Sequence, residues 1–215
     1  MRAVTGAIHR MWPDPANHHV AYEVLGNQGH NRPMGICGSG IIDAIASMRQ
    51  MGIILPNGRL DEKADGVTMD DKGIGQSYTI ADGEHSATGS AVSVSLKDIR
   101  QIQLAKGALA TGIEFLMRKA GIETIDRTIL TGAFGARFNW QNALAIGMLP
   151  PVVGQSRVTP KDNLAGVGVV MALLNKELRA EARSLCRYIR FLELASETTF
   201  PLAFAKATGF PEIEG

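Results

Sequence analysis

Residues 127–135, RTILTGAFG, join a β-branched run to a turn bounded by two glycines. Thr128, Ile129, Leu130 and Thr131 read as a short strand that ends at Gly132, Ala133, Phe134 and Gly135. A strand passing through a glycine turn into a helix N-terminus lets backbone approach a ligand closely and points N–H groups outward. That chemistry suits a nucleoside better than a metal or a nucleic acid. On the preceding helix Gln103 and Lys106 stand three residues apart and share a face. If that helix packs beside the strand, both side chains reach the pocket floored by the glycine turn. The turn would take base and phosphate, and Lys106 the ribose hydroxyls. The plainer alternatives are glycines kept for packing and a solvated Lys106.

A second glycine segment, GICGSGIID at residues 35–43, follows the same logic. Gly38 and Gly40 permit close backbone approach, and Ser39 can cap a helix beginning near Ile41. Cys37 beside a helix N-terminus would have a stabilised thiolate, reactive or metal-binding, unless it is simply a small buried thiol. Asp43 is expected in the first helical turn, where the dipole favours a carboxylate. One cysteine cannot hold a cluster, although one from each of two symmetric subunits could contribute. His9, His18, His19, His30 and His85 lack ligand spacing, and no G-x-S-x-G nucleophile elbow occurs.

The remaining composition narrows the classes. The chain has 215 residues, 45% apolar and 20% charged, with a formal net charge of +1. That is a globular balance with no strong pull toward nucleic acid or an acidic membrane. Arg179, Arg183, Arg187 and Arg190 form a mild basic cluster, read as a solvated helix face. Two cysteines, Cys37 and Cys186, without a CxxC pair argue against a disulfide scaffold or a zinc site within one chain. The longest apolar stretch, residues 164–174, is too short to span a bilayer, and no signal-peptide core follows the N-terminus. A cytoplasmic protein is expected.

The elements that must position these groups alternate. A strand is expected at residues 19–25, turn-rich sequence at 26–33, and a helix from the 35–40 segment to Gly52, a C′ glycine. Residues 61–89 read as an exposed polar excursion or a hairpin, with one strand-like run at 76–81. A strand at 92–95 leads into Ser95-Leu-Lys-Asp98, a capping box opening a helix to Ala120. Its apolar face is read as Ile99, Ile102, Leu109, Ile113, Leu116, Met117 and Ala120, with Gly121 as its stop. Helices are expected at 143–146, 162–175 and 178–188, a strand at 189–194, and weak helix at 199–208. A helix feeding a core strand indicates a layered α/β fold.

Read in order, MRAVTGAI, GICGSGIIDAIA, LKDIRQIQLAKGALATGIEFLM, ILTGAFGARFNWQNALAIGMLP and NLAGVGVVMALL resemble the C-terminal ATPase part of the reductive activators of corrinoid proteins. The resemblance covers nearly the whole chain. It implies an α/β lobe of the actin, sugar kinase and Hsp70 superfamily (ribonuclease H-like), with a mixed sheet flanked by helices, in an incomplete two-lobe fold spanning residues 1–215. It implies ATP-driven reduction of a cobalt(II) corrinoid to cobalt(I) for methyl transfer, and a corrinoid protein or corrinoid-dependent methyltransferase as partner. Gly132, Ala133, Phe134 and Gly135 would be the adenosine motif, and Gln103 and Lys106 its helix-borne contacts. Cys37, Gly38, Ser39 and Gly40 resemble the helix-opening segment of dehydratase activators, where a cysteine binds a cluster between subunits.

The departures from that pattern set the remaining expectations. Neither acidic D-x-G-T phosphate hairpin nor a cysteine-rich ferredoxin motif is present. The first lobe and the iron–sulfur domain are therefore expected upstream, and Mg-ATP or ADP binding by this chain alone is expected to be weak or absent. ATP hydrolysis is not expected without carboxylates for Mg²⁺, and no catalytic residue is assigned. Two alternatives stand beside this reading. One is a non-enzymatic binding module of the same fold, and the other a dehydratase-type activator whose cluster is bridged by Cys37 across a homodimer.

Overall fold

In the computed structural model, which describes residues 1–26, 32–69, 75–135 and 137–212, β1 (Ala7–Asp14) pairs antiparallel with β2 (His19–Val24). His30 and most of the turn expected at 26–33 lie outside the described residues, as do 70–74 of the expected excursion and the side chains of Ala133 and Phe134. A short β3 (Gly35–Ile36) adds parallel to β1, giving the order β2-β1-β3. Helix α1 (Gly38–Gln50) then lies across β1, with Ile42, Ile45 and Met48 in the core. Gly40 makes that crossing possible, because a Cβ there would collide with the Ile8 carbonyl oxygen.

The excursion expected at 61–89 is more than a surface feature. β4 (Val67–Met69), β5 (Gln76–Ala81) and β6 (Val92–Ser95) form an antiparallel sheet with β5 in the centre. β4 and β5 form a hairpin, and Tyr78, Ile80 and Ala81 of β5 are buried, so the run at 76–81 is a core strand and not part of an exposed excursion. The Val20 backbone N–H donates to the Tyr78 hydroxyl at 3.2 Å, coupling the two sheets. A polar sequence with one apolar strand can bury that strand when sheets pack face to face.

Helix α2 (Leu96–Ala120) starts at the expected capping box, with the Ser95 and Asp98 side chains each bonded to the other's backbone N–H. It stops at Gly121 in the left-handed conformation. Its buried stripe differs from the expected one: Ile99, Gln103, Lys106, Gly107, Ala110, Thr111 and Phe115 are buried, whereas Leu109 and Leu116 are exposed. The cause is α8 (Phe200–Thr208), which packs along α2 over the small Gly107 and Ala110. Phe200 closes that contact edge-on against Phe115, with ring centroids 5.6 Å apart.

The last third holds β7 (Arg127–Thr131) and β8 (Arg157–Lys161), a parallel pair. Between them lie α3 (Gly132–Gly135), α4 (Trp140–Ala145) and α5 (Pro151–Gly154). After β8 come α6 (Leu164–Leu174) and α7 (Lys176–Leu185). The strand expected at 189–194 does not form. Ile189 and Phe191 are exposed, and a single 3-10 turn, Leu194–Ser196, follows. A β-branched and aromatic run needs a neighbouring strand to pair with, and none lies beside this one among the described residues.

Candidate functional site

Two glycine segments were the candidates, and the fold treats them differently. β7 ends at Thr131, and Gly132 turns the chain with φ +89°, a conformation that strains any residue bearing a Cβ. The space a Cβ would fill there is open, with no heavy atom within 4 Å. Gly132, Ala133, Phe134 and Gly135 form one helical turn, α3. The Thr131 hydroxyl accepts the Leu164 N–H at 3.1 Å, so the strand end also holds the start of α6. The turn is thus an open backbone surface at the end of a parallel strand.

Gln103 and Lys106 share a face of α2, as their spacing requires, but that face looks at α8. Both are buried, which removes the solvated alternative for Lys106. The Lys106 amine donates to the carbonyl oxygens of Ala207, at 2.7 Å, and Gly209, at 2.5 Å. It also sits 5.2 Å from the centroid of the Phe210 ring. The Gln103 amide donates to the carbonyls of Thr208 and Asn57, and its oxygen accepts from Arg100. These bonds join the candidate adenosine contacts to the end of α8 and not to the glycine turn, contrary to the expected shared pocket. The end of a helix presents unpaired carbonyls, and buried donors satisfy them. Burial depresses the Lys106 amine from 10.5 to about 8.

Of residues 35–43, Gly35 to Gly38 and Ile41 line a cleft. The Cys37 N–H donates to the Ile8 carbonyl at 3.0 Å, and Cys37 is the N-cap residue of α1, without a side-chain cap bond. The helix therefore opens at Gly38, earlier than expected, and Ser39 does not cap it. The Ser39 hydroxyl turns back to the His9 carbonyl at 3.1 Å and lies 3.2 Å from the Cys37 sulfur. Cys37 is 2% exposed and borders a cleft of about 660 Å³ shared with Ile41, Val92 and Ile102. A cluster shared between two copies would require this buried sulfur to be uncovered.

Asp43 lies beyond the first turn of α1 and is buried. Its carboxylate accepts the Asn142 side-chain amide at 2.7 Å and the Met11 N–H at 3.3 Å, tying α1 to α4 and β1. Burial raises its pKa against the lowering effect of those two bonds. Arg49 escaped the sequence reading altogether. From the same helix it donates to the Ile54 carbonyl at 2.7 Å and the Pro211 carbonyl at 2.6 Å, adding a third donor to the C-terminal clasp. The signal available was an arginine in the last turn of a helix whose other core-facing positions are mostly apolar. Among the described residues no three His, Cys, Asp or Glu side chains gather as a metal-binding group. No helix among them is long and apolar enough to cross a membrane.

The family model of the C-terminal domain of RACo, the ASKHA domain, matches residues 1–214. The chain belongs to the RACo C-terminal ASKHA-domain family. The fold agrees: a solved structure titled a reductive activator for corrinoid, iron–sulfur protein superposes with a TM-score of 0.84 at 30% identity, over 98% of this chain and 33% of that one. Among curated proteins, the corrinoid activation enzyme RamQ of Eubacterium limosum is 32% identical over 219 residues, covering 98% of this chain and 36% of that protein. The ASKHA chain described here therefore spans about a third of the length of the relatives it matches. The expected mixed α/β architecture of sheets flanked by helices is the one observed.

Proposed function

We propose that this chain is the C-terminal ASKHA lobe of an ATP-dependent reductive activator that returns cobalt(II) corrinoid to cobalt(I) for methyl-transfer metabolism in the cytoplasm. The observation that carries this reading is 32% identity across 98% of the chain to a corrinoid activation enzyme. Its partner is then a corrinoid protein or corrinoid-dependent methyltransferase. The electron-carrying iron–sulfur cluster belongs to a part of the activator outside these residues.

Within this reading the chain contributes one wall of an adenosine site at Gly132, Ala133, Phe134 and Gly135. Supporting it are the open space at Gly132 and its positive φ, which favour backbone approach to a planar ligand. Gln103 and Lys106 contact adenosine only if the end of α8 releases their donors, so the glycine turn is the stronger half of the assignment. Nucleotide-bound Mg²⁺ is held by phosphates, waters and one or two carboxylates, and these carboxylates are proposed to come from the part of the activator outside these residues. No step is routed through that ion here, and the chain alone is proposed to bind nucleotide weakly and not to hydrolyse it.

Calorimetric titration of ADP and of Mg-ATP into the purified chain tests the wall. Weak binding that disappears in Gly132→Val supports it. Binding untouched by Gly132→Val would move the nucleotide elsewhere.

A further inference from the structure

Four main-chain carbonyls at and beyond the end of α8 are held by buried side chains of α1 and α2. Lys106 donates to Ala207 and Gly209, Gln103 to Thr208, and Arg49 to Pro211. Each of the three donors is less than a tenth exposed. The segment they hold is the opposite, because no residue of α8 is buried. Beyond α8, Phe210 enters the core, its ring centroid 5.2 Å from the Lys106 amine and 5.8 Å from the Arg49 guanidinium.

These partners share the chemistry of a nucleoside. Carbonyl oxygens accept from Lys106 and Gln103 as ribose hydroxyls would, and an aromatic ring lies within cation–π distance of two side chains, as a base would. A cavity of about 410 Å³ opens beside them, lined in part by Lys106, Gly147, Leu149 and Phe210. It gives a ligand a way in from which to replace those contacts. The attachment ahead of α8 is thin: residues 186–191 are exposed, and Phe200 on Phe115 and a 3.6 Å Glu197–Lys119 pair follow them. A segment with few buried contacts opens at a lower free energy than the whole fold.

We propose that residues 200–211 are an internal strap that competes with a nucleoside for Gln103 and Lys106. Nucleotide binding at that face and release of the strap are then one event. The proposal rests on the adenosine reading above and adds its regulation. Buried donors left without acceptors are costly, so the strap leaves only as another set of acceptor oxygens arrives. A ligand that needs the open form binds with its intrinsic affinity scaled by the open fraction. Weak binding then has a cause within the chain itself.

The test titrates ADP into the full chain and into Phe210→Ala, and follows amide exchange of residues 202–209. Saturating ADP should speed that exchange about tenfold in the unaltered chain, and Phe210→Ala should bind ADP about tenfold more tightly. Phe200→Ala loosens the strap from Phe115 outside the site and should also tighten binding, which keeps the test valid if Phe210→Ala fails to fold. Adding Lys106→Met to either variant should remove the gain. Exchange at 202–209 that ADP leaves unchanged or slows would overturn the proposal, as would folded strap variants that bind no more tightly than the unaltered chain. Gly132→Val separates the strap from the glycine wall. Binding lost in Gly132→Val, with no gain in either strap variant, keeps the wall and removes the strap. A gain abolished by Lys106→Met but untouched by Gly132→Val keeps the strap and removes the wall.

Discussion

Helices α1 and α6 are both rich in apolar residues and share small residues among their branched ones, yet their fates differ. Nine of the 13 residues of α1 are buried, under β1 and α4, whereas α6 buries none. α1 has a polar complement inside its packing: Asp43 and Arg49 satisfy backbone groups of neighbouring elements. α6 carries no polar side chain of its own, and its backbone is met from outside by Asn163, which accepts the Gly166 N–H, by the Thr131 hydroxyl, which accepts the Leu164 N–H, and by Arg179, which donates to the Ala172 carbonyl. Apolar content tells that a helix seeks cover, and only the surrounding chain decides whether cover arrives.

The strongest way to break this contrast is to cut equivalent apolar groups from both helices. Ile45 is fully buried, so Ile45→Ala should lower stability by about 2–5 kcal/mol, read as a fall in the urea midpoint. Leu173→Ala, in α6, should change it by less than about 0.5 kcal/mol. Similar losses at both positions would mean that α6 is packed in solution.

Lys106 sharpens the comparison by testing whether the α2–α8 contact is as dry as the α1 core. Its folded pKa, about 8, lies below the ordinary 10.5 because burial penalises the charged amine. Between those values the unfolded chain holds more protons, so stability should rise with pH across that window, at up to about 1.4 kcal/mol per pH unit. Lys106→Met should abolish the rise in urea titrations spanning pH 8 to 10. A rise of equal slope in the variant would place the responsible group elsewhere.

A smaller effect is expected at the α2 cap. Ser95→Ala removes the acceptor of the Asp98 N–H and should cost about 1 kcal/mol of thermal stability. At Asp43 the expected effect is a slope rather than a loss. Its pKa is raised in the fold, so its stabilising contribution is full below about pH 3.8 and declines as pH climbs through the folded value. Asp43→Asn should flatten that decline in acid-range unfolding curves; an unaltered curve would show that Asp43 does not titrate differently in the folded chain.

What could be read in the sequence followed how local each signal was. The ends of α2 rest on a capping box and a glycine, both written within a few residues, and they fall where expected. β6 was equally legible from its β-branched alternation. β8 was not, because RVTPK holds a proline and little apolar character, and only its pairing with β7 makes it a strand. The facing of Gln103 and Lys106 depended on a helix some hundred residues later settling over Gly107, which no local pattern announces. The glycine turn at Gly132 was legible as backbone geometry, and its ligand rests on the resemblance.

Native-state hydrogen exchange on the isolated chain addresses the central contrast most directly. Amides of α1, β1 and β5 should exchange only through global unfolding, while those of β7, β8 and α6 should exchange at least a hundredfold faster through local opening. Uniform protection across both sets would contradict the account, because it would show that the uncovered layer is as stable as the buried one.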